Sequence, residues 1–267
     1  YTQRDTLSLH DALPIYGRLV LVPNTLDLGT DCEVDLADVL PQAVITRAAA
    51  LTHWVCENAK TTRALLKRVN QRVPLALPLQ QIQITELPRL AKGGGKPTTA
   101  PDLRPLLAPA LAGHDVGLLS EAGLPAVADP GAGLVQAAHA LGLVVEPMSG
   151  PSSLLLALAA SGLNGQSFAF VGYLPVEAAA RAARIRELDV LSRRLGQTQI
   201  AIETPYRNDA LLAALQQHLQ ADTQLAVACG LTLPGARCET RSVAAWRAAQ
   251  AMPLGGRLPA VFSWLAA

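Results

Sequence analysis

Residues 118–133 read LLSEAGLPAVADPGAG. Glu121 and Asp129, Pro125 and Pro130, and glycines at 123, 131 and 133 are gathered between two apolar segments. The segment before it, DVGLL, is the short apolar run of a buried strand. GLVQAAHALG follows with helical periodicity and ends at Gly142, and LVVEPM is again strand-like. Strand, loop, helix and strand in this order predict a parallel α/β architecture. Ligands of such sheets bind at the carboxyl ends of strands, the place this loop occupies. Glycines there let the backbone approach a ligand, and prolines hold the loop in shape. GxGxxG and GxxxxGK[ST] are both missing from it, so neither a dinucleotide fingerprint nor a P-loop is indicated.

The same alternation extends in both directions. GRLVLVP reads as a first strand, HWVC as a strand running into the helix that follows it, and LRPLLAPALAGH as a helix ending at Gly113. LAKGGGKPTTAPD, around residues 92–102, is a flexible loop. SGPSSLLLALAASG is a break followed by a helix with Ser152 or Ser153 as N-cap. TQIAIETP, QLAVACGLTL and RLPAVFSWL are three further strands, and YRNDALLAALQQHL a helix. A boundary near residue 148 divides an N-terminal α/β domain, 17–147, from a C-terminal one, 148–267. RDTLSLHDALPI resembles a translated sequencing adapter, so residues 1–16 are set aside as a non-native or disordered extension.

Composition excludes several classes. Of 267 residues, 50% are hydrophobic and 16% charged, with a formal net charge of +1, which argues against a broad basic surface for nonspecific nucleic-acid binding. Residues 181–194 carry five arginines against two acids, and Lys60, Arg63 and Lys67 share one helical face, the ordinary pattern of a solvated surface. Cys32, Cys56, Cys229 and Cys238 show neither CxxC nor zinc spacing, so no metal centre is expected, and a reduced cytoplasmic chain is the simpler reading. A secretory signal is not expected, and no apolar run reaches bilayer-spanning length.

LLSEAGLPAVADPG resembles the S-D-A-G-T-P-x-x-S-D-P-G signature of the tetrapyrrole methylase superfamily, the class III S-adenosylmethionine (SAM)-dependent methyltransferases. The version is closest to the branch that methylates a ribose 2′-oxygen of small-subunit rRNA. SGPSSLLLALAASGLNGQSFAFVGYLP, ETPYRNDALLAAL, ENAKTTRALL and LVLVPNTLDLG resemble further motifs of that branch, in family order, over residues 17 to about 265. The resemblance implies two α/β domains with SAM in the cleft between them. It further implies an RNA acceptor, a homodimer and cofactor contacts that are largely main-chain. Those contacts fall on Leu26, Leu124, Val127, Ser152, Ser153, Ile202 and Glu203, with a last-strand contact near Pro259 and Ala260.

A ribose hydroxyl is a weak nucleophile and needs a base. Glu57, Glu121, Asp129 and Glu203 are the candidate acids, with Lys60, Arg63 and Arg207 to hold phosphate. Glu57, Glu121 and Arg207 are assigned as catalytic. Three departures touch polar positions. E-D-T-R is here Glu57-Asn58-Ala59-Lys60, R-E-L-T-K is Cys229-Gly230-Leu231-Thr232-Leu233, and the histidine of E-S-P-H-R is Tyr206. Cofactor identity is therefore better supported than acceptor identity. A tetrapyrrole-like small molecule is the alternative acceptor, and a SAM-binding protein without catalysis the alternative class.

Overall fold

The computed structural model describes residues 16–27, 30, 32–88, 101–249 and 258–267. Residues 1–15 and most of the 92–102 loop therefore lie outside the described residues. In chain order the elements are β1 (Arg18–Leu21), α1 (Leu36–Val39), α2 (Gln42–Ala50), β2 (His53–Cys56), α3 (Ala59–Arg72) and β3 (Gln83–Glu86). Then come α4 (Ala108–Leu111), β4 (Val116–Leu119), α5 (Ala132–Ala140), β5 (Val144–Pro147), α6 (Ser153–Ser161) and β6 (Phe168–Gly172). The last are α7 (Ala178–Leu195), β7 (Thr198–Glu203), α8 (Asn208–His218), β8 (Gln224–Cys229), β9 (Arg237–Ser242), α9 (Val243–Ala248) and β10 (Ala260–Leu265). Two compact units result, and the second takes Pro23–Gln42 and Ala122–Leu124 in addition to Ser149–Ala267.

The first unit is built on a five-stranded sheet of order β3-β2-β4-β1-β5, with every pair parallel. Its central strand β4, VGLL, is buried at all four positions, as an apolar run covered on both faces must be. Leu118 and Leu134 are fully buried in one cluster, so the helix after the 118–133 stretch folds back over its own strand. Residues 104–111, expected as one helix, split into a 3-10 turn over Arg104–Leu107 and the single turn α4. Prolines 105 and 109 fall in the first turn of each piece, where a missing N–H costs no hydrogen bond.

The second unit departs from the parallel expectation. Its sheet has the order β6-β7-β10-β8-β9, and only β6 and β7 run parallel. β10 is antiparallel to both β7 and β8, and β9 to β8. The edge strand β9, RCETRS, was not anticipated, because its polar composition hides a strand whose burial comes from one neighbour only. Aligned on the sheet, α6 covers Ile200, Ala228 and Val261, while α7 and α8 cover the opposite face around Phe262 and Trp264. The arginine-rich α7 is largely tied down: Arg184 pairs with Glu187 at 2.7 Å and Arg193 with Asp222 at 2.9 Å. Its Asp189 is buried and accepts from Thr223 Oγ1 at 2.8 Å.

Gly117 marks the tightest packing in the first sheet, since a Cβ there would meet Trp54 Cε3 at 2.7 Å. Trp54 is itself buried, so its ring has no free direction in which to move. Gly117→Ala is expected to destabilise the first unit by about 1–3 kcal/mol through overpacking. Urea unfolding followed by tryptophan fluorescence measures this, and an unchanged midpoint would contradict the close ring–backbone contact.

Candidate functional site

The strand ends of the second sheet gather residues far apart in the chain. β7 ends at Glu203, and Ala260 at the start of β10 pairs in register with both Glu203 and Cys229, the last residue of β8. A cavity of about 200 Å³ opens there. Ile202 and Glu203 of β7, Ala228 of β8 and Ala260 and Val261 of β10 contribute to its wall, with Leu231 and Pro259 from flanking loops. Ser153, the first residue of α6, Tyr173 after β6, and Leu26 and Ala122 complete it.

Local chemistry explains how Leu26 and Ala122 arrive. Asn24 and Gly123 form an isolated bridge, with the Asn24 N–H donating to Gly123 O at 2.9 Å. Gly123 has φ +68, a conformation that glycine adopts without a Cβ penalty. Gly150 approaches Pro23 so closely that a Cβ would lie 2.2 Å from the proline Cβ. These glycines set the approach of three loops. α6 then begins at Ser153 with Ser152 as N-cap, yet the Ser152 side chain makes no capping bond. The first N–H groups of an uncapped helix are suited to an anion or a polar ligand atom.

Glu203 is buried, and its Oε1 accepts from four donors. These are Thr204 N at 2.7 Å, Thr204 Oγ1 at 3.1 Å, and Arg207 Nε and Nη2 at 3.0 and 2.7 Å. Arg207, assigned to phosphate from sequence, is thus committed first to a carboxylate of its own chain. Its neighbour Tyr206 stands in solvent.

The sequence-assigned acids of the first unit form a second group. Glu57 follows β2, and its Oε2 accepts from the Glu121 N–H at 3.2 Å. Burial raises the Glu57 carboxyl; the Glu121 N–H opposes the shift and the Glu121 charge adds to it. Asp129 is raised more, to about 7, by burial first and then by the charges of Glu57 and Glu121. Asn58 explains the loss of an acid from E-D-T-R. Its Oδ1 caps α3 by accepting from Lys60 N and Thr61 N, while its Nδ2 donates to Glu121 Oε1 at 2.9 Å. An aspartate could cap but not donate, and it would add a fourth carboxyl to the group.

Of the seven sequence-assigned cofactor residues, Leu26, Ser153, Ile202 and Glu203 line the cavity. Leu124, Val127 and Ser152 do not, and Val127 is 44% exposed. Tyr173, Ala228 and Leu231 also line the cavity and were not assigned from sequence; only their positions just after or at strand ends could have marked them. Ala126 and Ala128 carry φ 65 and 64, left-handed conformations that cost roughly 1–3 kcal/mol each in alanine. A larger cavity of about 570 Å³ in the first unit is lined by Asp102, Arg104, Asp129 and Gln136, and also by Pro88 and Pro101, which bracket the undescribed residues 89–100. Among the described residues no group of three or more His, Cys, Asp and Glu could hold a metal ion.

The raised Asp129 carboxyl has a consequence for stability. Its folded value lies near 7 and its unfolded value near 3.8, so the folded state holds the proton more tightly. The associated stability is fully present below about pH 3.8 and is lost as pH rises toward 7 and above. Asp129→Asn is expected to flatten the fall in stability between pH 5 and 8 measured by denaturant unfolding. An Asn variant with the slope of the native chain would contradict the assignment.

Comparison with known proteins places these features in a family. The sequence model of the Tetrapyrrole (Corrin/Porphyrin) Methylases matches residues 42–245. A protein of Mesorhizobium japonicum named Ribosomal RNA small subunit methyltransferase I is 33% identical over 198 residues, covering 74% of this chain and 60% of the relative. A protein of the same name from Pseudomonas aeruginosa is 43% identical over 95 residues, covering 36% of this chain and 32% of the relative. The matched stretches thus span less than two thirds of these relatives. Among solved structures, a conserved hypothetical protein from Aeropyrum pernix aligns with TM-score 0.54 at 17% identity, covering 92% of this chain and 84% of that one, a likeness of fold. With the family model matching well over half of the chain, the chain belongs to the tetrapyrrole (corrin/porphyrin) methylases.

Proposed function

We propose that the chain is a SAM-dependent methyltransferase that seats its cofactor in the cavity of the second unit and methylates RNA at a ribose 2′-oxygen. One observation carries the cofactor assignment. Leu26, Ser153, Ile202 and Glu203, assigned to SAM from separate motifs, meet at one cavity where β7 and β8 end and the antiparallel β10 begins. The acceptor assignment rests on the names of the relatives at 33–43% identity.

The residues present fit such a cofactor in part. Leu26, Ile202, Leu231 and Val261 offer an apolar wall, and Ser153 with the uncapped start of α6 offers polar donors. At about 200 Å³ the cavity is smaller than the roughly 300–1,000 Å³ of whole ligand sites, so it holds one portion of a SAM-sized molecule. The cofactor supplies an electrophilic methyl group on a sulfonium. The chain's own contribution is positioning, which in an in-line displacement supplies much of the rate. Arg207 holds the Glu203 carboxylate in one orientation, so the cavity wall is fixed before any ligand arrives.

The acceptor hydroxyl needs a base near neutral pH. The group of Glu57, Glu121 and Asp129 includes one carboxyl, Asp129, that titrates at about 7. Lys60, Arg63 and Lys67 stand exposed on α3 and are suited to phosphate. A homodimer in the cytoplasm completes the reading; no helix among the described residues is long and apolar enough to cross a membrane.

Calorimetry with SAM tests the cofactor site, and Ile202→Trp, which fills the cavity, is expected to weaken binding by more than tenfold. Radiolabelled SAM incubated with RNA from cells lacking the gene tests the acceptor. Label is expected in RNA. No binding heat from the native chain would overturn the cofactor reading, and label only in small molecules would overturn the RNA reading.

A further inference from the structure

Tyr206 has an exposure that its neighbours do not explain. It is 81% exposed, more than any other exposed large hydrophobic side chain among the described residues, in a sequence only 4% aromatic. It sits in the middle of the 3-10 turn Pro205–Arg207, which leaves β7 directly after the cavity residue Glu203. The turn is held at both sides. The Arg207 N–H donates to Thr204 O at 2.9 Å, and the buried Asn208 donates from Nδ2 to Leu258 O at 2.9 Å. Pro205 restricts the backbone at the start. The Arg207 guanidinium is fixed by Glu203 Oε1 and lies 6.0 Å from the centre of the Tyr206 ring. A second tyrosine, Tyr173, is 55% exposed and lines the cavity itself.

A solvated aromatic ring carried on a held turn beside a cationic guanidinium is the ordinary equipment for stacking a nucleobase. The ring supplies a π-face that accepts any base, and the guanidinium offers charge to the adjoining phosphate or a second flat surface. A base inside a duplex has no free face, so this arrangement selects an unpaired nucleotide. Histidine in the motif that ETPYR resembles is smaller, so the wider ring is a property of this chain.

We propose that Tyr206, carried on the turn that the Arg207–Glu203 pair holds, is a stacking platform for an unpaired base of the RNA acceptor and so restricts the substrate to single-stranded or looped RNA. The proposal rests on the reading of the acceptor as RNA. It adds a specificity-determining residue to that reading.

The test uses the full chain and short oligoribonucleotides carrying 2-aminopurine either in a loop or within a duplex. The native chain is expected to quench the probe in the loop and not in the duplex. Tyr206→Ala is expected to weaken binding of the looped RNA, and to raise its KM, by roughly 5- to 160-fold, the range of one base–aromatic stack. Tyr206→Phe keeps the ring and is expected to stay within about twofold of the native chain. The affinity for SAM is expected to be the same in all three proteins, because the tyrosine is not a cavity-lining residue. RNA methylation unaffected by Tyr206→Ala would overturn this proposal while leaving the RNA reading in place. Equal losses with looped and duplex RNA, or a matching loss of SAM binding, would also overturn it, since both point to a structural role. A loss of affinity for a porphyrin with RNA binding unchanged would assign the ring to a tetrapyrrole acceptor and overturn it. A native chain that binds SAM but neither binds nor methylates RNA would overturn the RNA reading itself.

Discussion

A buried carboxylate must find donors or become neutral, and Glu203 finds them in its own next four residues. Thr204 and Arg207 together place four donors on one oxygen. This requirement shapes the exit of β7. The chain must turn at once, Pro205 starts the turn, and Tyr206 is carried outward because Arg207 is drawn back. The same pair holds one wall of the cavity, since Glu203 lines it and pairs in register with Ala260. A charge that sequence reasoning offered to substrate phosphate is therefore used first to keep another charge inside the protein.

The stretch between β4 and α5 answers to a different constraint. Gly123 takes φ +68 and Gly131 φ +133, and two alanines between them, Ala126 and Ala128, adopt left-handed conformations at their own cost. Here Asp129 is partly buried beside Glu57 and Glu121, and burial first, then their charges, make it keep its proton to about pH 7. Like charges at short range and partial burial act together there. Asn58 in place of an acid relieves the crowding and supplies an amide donor to Glu121. The divergence at this motif thus has a local electrostatic account and is not a sign of decay by itself.

Much of the architecture is legible without coordinates. An apolar run such as VGLL declares a strand because a strand covered on both faces is apolar throughout. Gly142 closes a helix in the expected place. What escapes is whatever depends on a single neighbour. β9 is polar because one face and one edge are solvated, and the antiparallel course of β10 cannot be seen in its composition, since parallel and antiparallel strands bury the same residues.

For this protein the sequence alone determined the family, the succession of α/β elements and the motifs that carry the cofactor assignment. It could do so because helix and strand periodicities and motif spacing are local properties of the chain. The tertiary structure decided which assigned residues meet. Leu26, Ser153, Ile202 and Glu203 converge, whereas Leu124, Val127 and Ser152 stay off the cavity wall. It also decided that Arg207 serves Glu203 and that Asp129, weighed but not retained from sequence, is the acid poised near neutrality. Burial and proximity between residues distant in the chain set those outcomes, and neither is written in the order of the amino acids.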